Sequence, residues 1–219
     1  SNGSYSIGIN DGIYTVHFSK TGYIPYTMPG TFSYAGGSYV QEDVTLAAGS
    51  VIEVSGRVGG TFYNDYQYRV VGDLTVDVGD TLIIEPGTSV LFMDSYRFYI
   101  NGNIIAVGTE QDSIYITSGR AVKSATDWKG IRLRHWSGNE ALTDRVTTFQ
   151  YCNISHGGTF GALIYDSDAY NDINFVGSLK ILNSYIHHTS GQGISSNYSK
   201  LDVSDTRVTF YDSDGIRIK

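Results

Sequence analysis

The chain has 219 residues, 41% hydrophobic and 17% charged, the balance of a folded chain of one or two domains rather than a disordered one. A net charge of −7 and a pI near 5.1 argue against a nucleic-acid-binding surface or a basic membrane-binding face. No run approaches the roughly 18 apolar residues of a membrane span, and the single Cys152 excludes an intrachain disulfide. With 26 glycines and 3 prolines the chain can make many tight turns between short strands. Its 18 tyrosines suit strands and half-wet surfaces.

Ser1 opens directly into turn chemistry without a signal-peptide pattern, and reads as a cut or processed end. Ser1 to Ile7 and Asp11 to Lys20 alternate as a turn, a short strand, a second turn and a longer strand, predicting a hairpin or meander. Tyr14, Val16 and Phe18 share its core face, which leaves Ile13, Thr15, His17 and Ser19 on the solvent side. Residues 30–39 read as a loop or weak strand, and two further strands are expected around Tyr39–Leu46 and Val51–Val58.

The elements Asn2-Gly3-Ser4-Tyr5-Ser6-Ile7, Asp11-Gly12-Ile13-Tyr14-Thr15-Val16 and Phe18-Ser19-Lys20-Thr21-Gly22-Tyr23 resemble the carboxypeptidase regulatory-like domain, a transthyretin-like β-sandwich common in bacterial cell-surface proteins. That family begins with two or more strands before the Asn-Gly turn, and here they are missing. A sandwich without its first strands has unpaired edges and an open apolar face. The expectation is therefore either a fragment of a longer protein or a missing strand supplied by another copy, with Ser4, Tyr5 and Ile7 as an assembly surface.

Beyond residue 58 the pattern becomes cyclic. Apolar pairs at Leu74/Val76, Leu82/Ile84 and Val90/Phe92 recur at Phe98/Ile100, Ile104/Ala106 and Ile114/Ile116, with steps of 24, 22 and 24 residues. Two apolar residues one apart face the same side of a strand, so each cycle reads as three short strands with inward faces. A strand-built period in the low twenties is the signature of a parallel β-solenoid. Glu85-Pro86-Gly87-Thr88, Asn101-Gly102 and Gly108-Thr109 supply the turns. Later cycles align Phe149, Ile181 and Val203, then Ile154, Ile186 and Val208, then Gly161, Gly193 and Gly215, with steps of 32 and 22. Loops are expected near 118–127, 135–144 and 165–175.

Gly72-Asp73-Leu74-Thr75-Val76, Thr81-Leu82-Ile83-Ile84-Glu85-Pro86-Gly87-Thr88, Ile100-Asn101-Gly102, Ala106-Val107-Gly108-Thr109, Asp127-Trp128-Lys129-Gly130-Ile131 and Tyr151-Cys152-Asn153-Ile154 resemble right-handed parallel β-helix repeat proteins of secreted bacterial type. The expected class is all-β: an N-terminal partial β-sandwich over residues 1–58, then a right-handed parallel β-helix over 59–219. Because that family includes adhesins, structural proteins, lyases and hydrolases, the resemblance implies the fold and leaves the chemistry open.

Ser155-His156-Gly157-Gly158 and Gly215-Ile216-Arg217-Ile218-Lys219 look like fragments of the polygalacturonase pattern, in which Asp residues do acid/base work and a His and an Arg-x-Lys pair bind the acidic sugar. Gly130-Ile131-Arg132-Leu133-Arg134 repeats the second arrangement in an earlier rung, which makes it a feature of strand register. No Asn-x-Asp or Asp-Asp element accompanies it upstream. Asp166, Asp168, Asn171 and Asp172, or Asp212 and Asp214, carry the oxygens that Ca²⁺ takes, but solvated turns explain them more simply and no EF-hand spacing is present. His187 and His188, with His156 two rungs away, suggest a metal, but neighbours on a strand point to opposite faces. Trp136 and the tyrosines suit a sugar-stacking platform or, more simply, strand packing. Cys152, in an apolar strand pattern, reads as a small buried hydrophobe.

The sequence therefore assigns no catalytic residue, no cofactor and no metal beyond Ca²⁺ at Asp166, Asp168 and Asp172. It predicts a non-enzymatic extracellular or cell-surface protein, structural or adhesive. Such a protein either assembles end to end through Ser4, Tyr5 and Ile7 at one end and Ile216 and Ile218 at the other, or continues into neighbouring domains. The runner-up is a polysaccharide lyase, a glycoside hydrolase or a glycan-binding module.

Overall fold

The computed structural model describes residues 10–14, 16–18, 26–27, 32–35, 49–133, 145–159, 162–166, 177–196, 200–209 and 214–218. Among these residues every regular element is a strand. In the N-terminal part β1 (Gly12–Tyr14), β2 (His17–Phe18), β3 (Tyr26–Thr27) and β4 (Phe32–Tyr34) make two antiparallel pairs, β1 with β4 and β2 with β3. Ile13 is exposed while Tyr14, Val16 and Phe18 are half-buried, as the alternation requires. The strand expected near residues 39–46, and Ser4, Tyr5 and Ile7, lie outside the described residues.

From Ser50 onward the pairing is parallel and the chain winds into a solenoid-like coil. Its first turn holds β5 (Ser50–Arg57) and β6 (Gly60–Phe62), and its second β7 (Tyr66–Val76) and β8 (Thr81–Ile84). β9 (Ser89–Phe92), β10 (Arg97–Ile100) and β11 (Asn103–Val107) make the third, and β12 (Ile114–Ser118), β13 (Gly130–Leu133) and β14 (Arg145–Gln150) the fourth. The fifth contains β15 (Cys152–Gly157), β16 (Ala162–Asp166) and β17 (Gly177–Leu182); the sixth, β18 (Tyr185–Thr189), β19 (Gln192–Ser196) and β20 (Lys200–Ser204). β21 (Arg207–Val208) and β22 (Ile216–Ile218) belong to the next turn.

Each strand pairs with its counterparts in the turns before and after, which produces three faces. The first stacks the beginning of β7, β9, β12, β15, β18 and β21; the second stacks the end of β7, β10, β13, β16, β19 and β22. The long strands β5 and β7 run across both faces, so that together they form one 12-stranded sheet. β6, β8, β11, β14, β17 and β20 form the third face, a 6-stranded sheet. β5, which the sequence pattern groups with the N-terminal strands, pairs in parallel with β7 from Ser50 to Arg57.

The core is a set of apolar columns running along the coil. Leu74, Phe98, Ile131, Ile164 and Ile194 stack in register on the second face and are at most 1% exposed. Val90, Ile116, Ile154 and Ile186 do the same on the first face, all fully buried. Leu82 and Ile104, then Phe149 and Ile181, line the third. A turn alone could not bury its inward side chains; each buries those of its neighbours.

Two expected registers are corrected. Ile116 and Ser118, rather than Ile114 and Ile116, stand over Val90 and Phe92, a step of 26 instead of 24. The corner between β11 and β12 contains a Thr109/Asp112 turn, and between in-register partners Ala106 and Ile116 it takes about four more residues than the corner between Ile84 and Val90, about two more than a step of 24 needs. Because the slip is an even number, every side chain keeps its face. On the second face Ile164 pairs with Ile194, a step of 30, so Leu163 rather than Gly161 is level with Gly193. The other two faces keep the step of 32 in that turn. The loop expected at 135–144, and most of that at 165–175, lie outside the described residues.

Candidate functional site

On the outer side of the first face, strands β12, β15, β18 and β21 bring together side chains that the apolar pattern does not explain. Ile154 and Ile186 point into the core, so Ser155 and His187 point outward. Both are nonetheless buried, at 2% and 9% exposure, under neighbouring side chains. The Tyr185 ring stacks on His187 with 4.0 Å between centroids, and the Arg207 guanidinium lies 5.3 Å above the Tyr185 ring.

The next residue changes the direction of the chain. His156 and His188 have φ of 60° and 51°, in the left-handed region that non-glycine residues rarely enter. The rule that neighbours on a strand point to opposite faces holds only for extended backbone, so it fails here. His187 and His188 meet through their Nδ1 atoms. His156 stacks on His188 at 4.6 Å and meets His187 edge-on at 5.8 Å. His156 sits in the adjacent turn rather than two rungs away, because Ser155 pairs with His187 and Gly157 with Thr189.

Hydrogen bonding sets the state of the His187 ring. His187 Nε2 lies 2.9 Å from Asn153 Oδ1, and a neutral imidazole that donates there presents Nδ1 as an acceptor. The Nδ1–H of His188 then donates to it. Ser155 Oγ lies 2.8 Å from Thr117 Oγ1 and 2.9 Å from His156 Nδ1, with Thr117 Oγ1 3.2 Å from the same nitrogen. The Trp128 indole N–H donates to the Ser155 carbonyl at 2.9 Å.

Burial pushes both His156 and His187 down to about 4, and the other imidazoles and Lys123 push the same way. Arg207 adds to the effect at His187, whereas Asp127 opposes it at His156. At neutral pH these two rings are uncharged.

The loop after β12 borders the cluster and is tied down by a buried carboxylate. Asp127 accepts from Ser118 Oγ at 2.6 Å and from the Ser124 amide at 2.9 Å, and lies 3.5 Å from Arg120. Arg120 also reaches Asp94 at 2.6 Å. Lys123 rides on this loop; shielding by its surroundings lowers its pKa, against the pull of Asp127.

The other sequence-named residues are scattered. Asp166 ends β16, level with Leu133 and Ser196. Asp168, Asn171, Asp172, Asp212 and Trp136 fall outside the described residues, and Asp214 is exposed. Among the described residues no group of three or more His, Cys, Asp or Glu side chains is arranged to hold a metal ion. Arg132 and Arg217 stand in one column of the second face, linked through Tyr165 and Ser195, two turns beyond His156 in the case of Arg217. Ile216 and Ile218 are 41% and 70% exposed. Cys152 is buried and free, and burial pushes its thiol pKa far up, which makes it an inert core residue. No helix among the described residues is long and apolar enough to cross a membrane.

Comparisons with protein-family models, with curated proteins and with solved structures found no match for this chain.

Sequence reasoning passed over Lys123, Asn153, Tyr185 and Arg207. The signal for one contact was present, since aligning Ile154 with Ile186 already puts His156 level with His188. Nothing in the pattern marked the left-handed corners or the loop that brings Lys123 close.

Proposed function

We propose that this chain is a non-enzymatic structural or adhesive module of an extracellular or cell-surface protein, built as a transthyretin-like β-sandwich followed by a right-handed parallel β-helix. The observation that carries the reading is the column Arg132, Tyr165, Ser195, Arg217. The Gly-Ile-Arg arrangement that most resembles a polysaccharide-processing motif puts Arg132 and Arg217 at one register position three turns apart, with Tyr165 and Ser195 between them, which a repeat accounts for and a single catalytic constellation does not require. The outer cluster on the first face is made of imidazoles, hydroxyls, an amide and cations, and the neighbouring carboxylate Asp127 is engaged by Ser118, Ser124 and Arg120. General acid/base cleavage of a glycosidic bond asks for two facing carboxyl groups.

The experiment is incubation with acidic and neutral polysaccharides, followed by assays for new reducing ends and for unsaturated products. No product is expected. Turnover of any of them would replace this reading with the enzymatic one.

Assembly is the second part of the reading. The last described strand of each face presents apolar side chains along the rim: Ile216 and Ile218 on β22, and the half-buried Leu201 and Val203 on β20 and Val208 on β21. One more parallel turn laid on β20, β21 and β22 would bury them, supplied by another copy or by further chain of the same polypeptide.

A further inference from the structure

We propose that the outward cluster of His156, His187, His188, Lys123 and Arg207 is a binding site for an oxoanion of the sulfate or phosphate class, with protons taken up as the anion binds. This goes beyond the structural reading above and does not depend on it.

The first argument is charge. In a chain of net charge −7, folding places two cations and three imidazoles from four elements on one patch: the loop after β12, β15, β18 and β21. Lys123 and Arg207 have no ion-pair partner among the described residues. The carboxylate that acts on the imidazoles, Asp127, is already held by Ser118, Ser124 and Arg120. Like charges gathered without a matching counter-charge raise the local potential and draw an anion. Arg207 offers a planar fork of donors, Lys123 a compact ammonium, and His156 an imidazole that gains an N–H on protonation, a set that a tetrahedral oxoanion accepts from.

The second argument is geometry. Arg207, Tyr185 and His187 form one continuous stack, with His188 against His187 and His156 against His188. Asn153 and Ser155 hold the rings from behind, through His187 Nε2 and His156 Nδ1. His156 and His188 are half-buried, and Lys123 and Arg207 are exposed. The arrangement is a preorganised floor under a reachable cationic rim.

Proton linkage follows. The titratable and charged groups that act on or stack against the imidazoles are Lys123 and Asp127 from the loop, Tyr185 from β18 and Arg207 from β21, and Tyr115 of β12 is level with Asn153. Lys123 opposes protonation of His156 and His187, and Arg207 that of His187. An anion seated among them offsets that repulsion and favours the imidazolium, so binding tightens as pH falls.

The test is titration of the protein with sodium sulfate and, separately, sodium phosphate by calorimetry at pH 7.5 and pH 5.5. Two buffers of different ionisation enthalpy are used at each pH. The expected result is binding about tenfold tighter at pH 5.5, with net proton uptake. Lys123→Ala and Arg207→Ala, both at exposed positions, weaken binding at both pH values by about tenfold, with the melting temperature unchanged. His156→Gln flattens the pH dependence. Sulfate binding without phosphate binding assigns the site to sulfated ligands, and the reverse to phosphorylated ones. Absence of binding by either anion at both pH values overturns the proposal. So does binding that neither Lys123→Ala nor Arg207→Ala weakens, or an affinity that does not change with pH.

Discussion

Among single residues, the histidines of the outer cluster show how a repeat fold creates chemistry that no single strand contains. Each is unremarkable in its own segment, and the step of 32 residues between β15 and β18 stacks His156 on His188 and sets Ser155 level with His187. The consequence for stability has a definite sign. His156 and His187 titrate near 4 in the folded chain, below the ordinary imidazole value of 6.5. Between those values the unfolded chain binds more protons, so stability is fully present above about pH 6.5 and is lost as pH falls toward 4. The melting temperature at pH 5 is expected to lie below that at pH 7, measured in chloride buffers free of sulfate and phosphate. Replacing both residues, His156→Gln with His187→Gln, shrinks that difference. An undiminished difference in the double variant would place the acid sensitivity elsewhere.

Strands and their corners are held by a few large contacts between turns. Trp128 precedes β13, is fully buried, stacks on Phe92 at 4.1 Å and donates to the Ser155 carbonyl in the next turn. One side chain thus ties three turns of the coil together. Gly157 is required by the same contact, since a Cβ there would lie 2.5 Å from Trp128 Nε1. Trp128→Ala leaves a cavity and an unpaired carbonyl, and is expected to cost about 3–5 kcal/mol in denaturant unfolding. Trp128→Phe keeps the stacking surface and loses the hydrogen bond, for about 1–2 kcal/mol. Equal losses in the two variants would mean that the indole N–H rather than the packing carries the contact.

For the whole molecule, stability passes from turn to turn because each parallel strand has neighbours only in the turns before and after. The rim of β20, β21 and β22 is where the assembly reading makes its prediction. At rising concentration this chain is expected to gain mass in light scattering. Ile218→Lys, at a position 70% exposed, lowers that mass with little change in melting temperature. A single monomeric mass across the range would speak against assembly between copies of this chain.

The apolar alternation by itself determined the coil: the pairs Leu74/Val76, Leu82/Ile84 and Phe98/Ile100 identify inward faces without any tertiary information, since a period of two can serve only one face. It also made the two-residue slip at Ile116 invisible, because an even shift leaves the same pattern. Likewise the Gly-Ile-Arg repeat could be read as register from Gly130 and Gly215 alone. Only the tertiary structure decided the outer cluster. It depends on left-handed φ at His156 and His188, on the pairing of β15 with β18, and on a loop that returns Lys123 to the same face. Hydrophobic periodicity records what the interior demands. Which polar side chains meet outside is set by corner geometry and loop paths, which have no period to read.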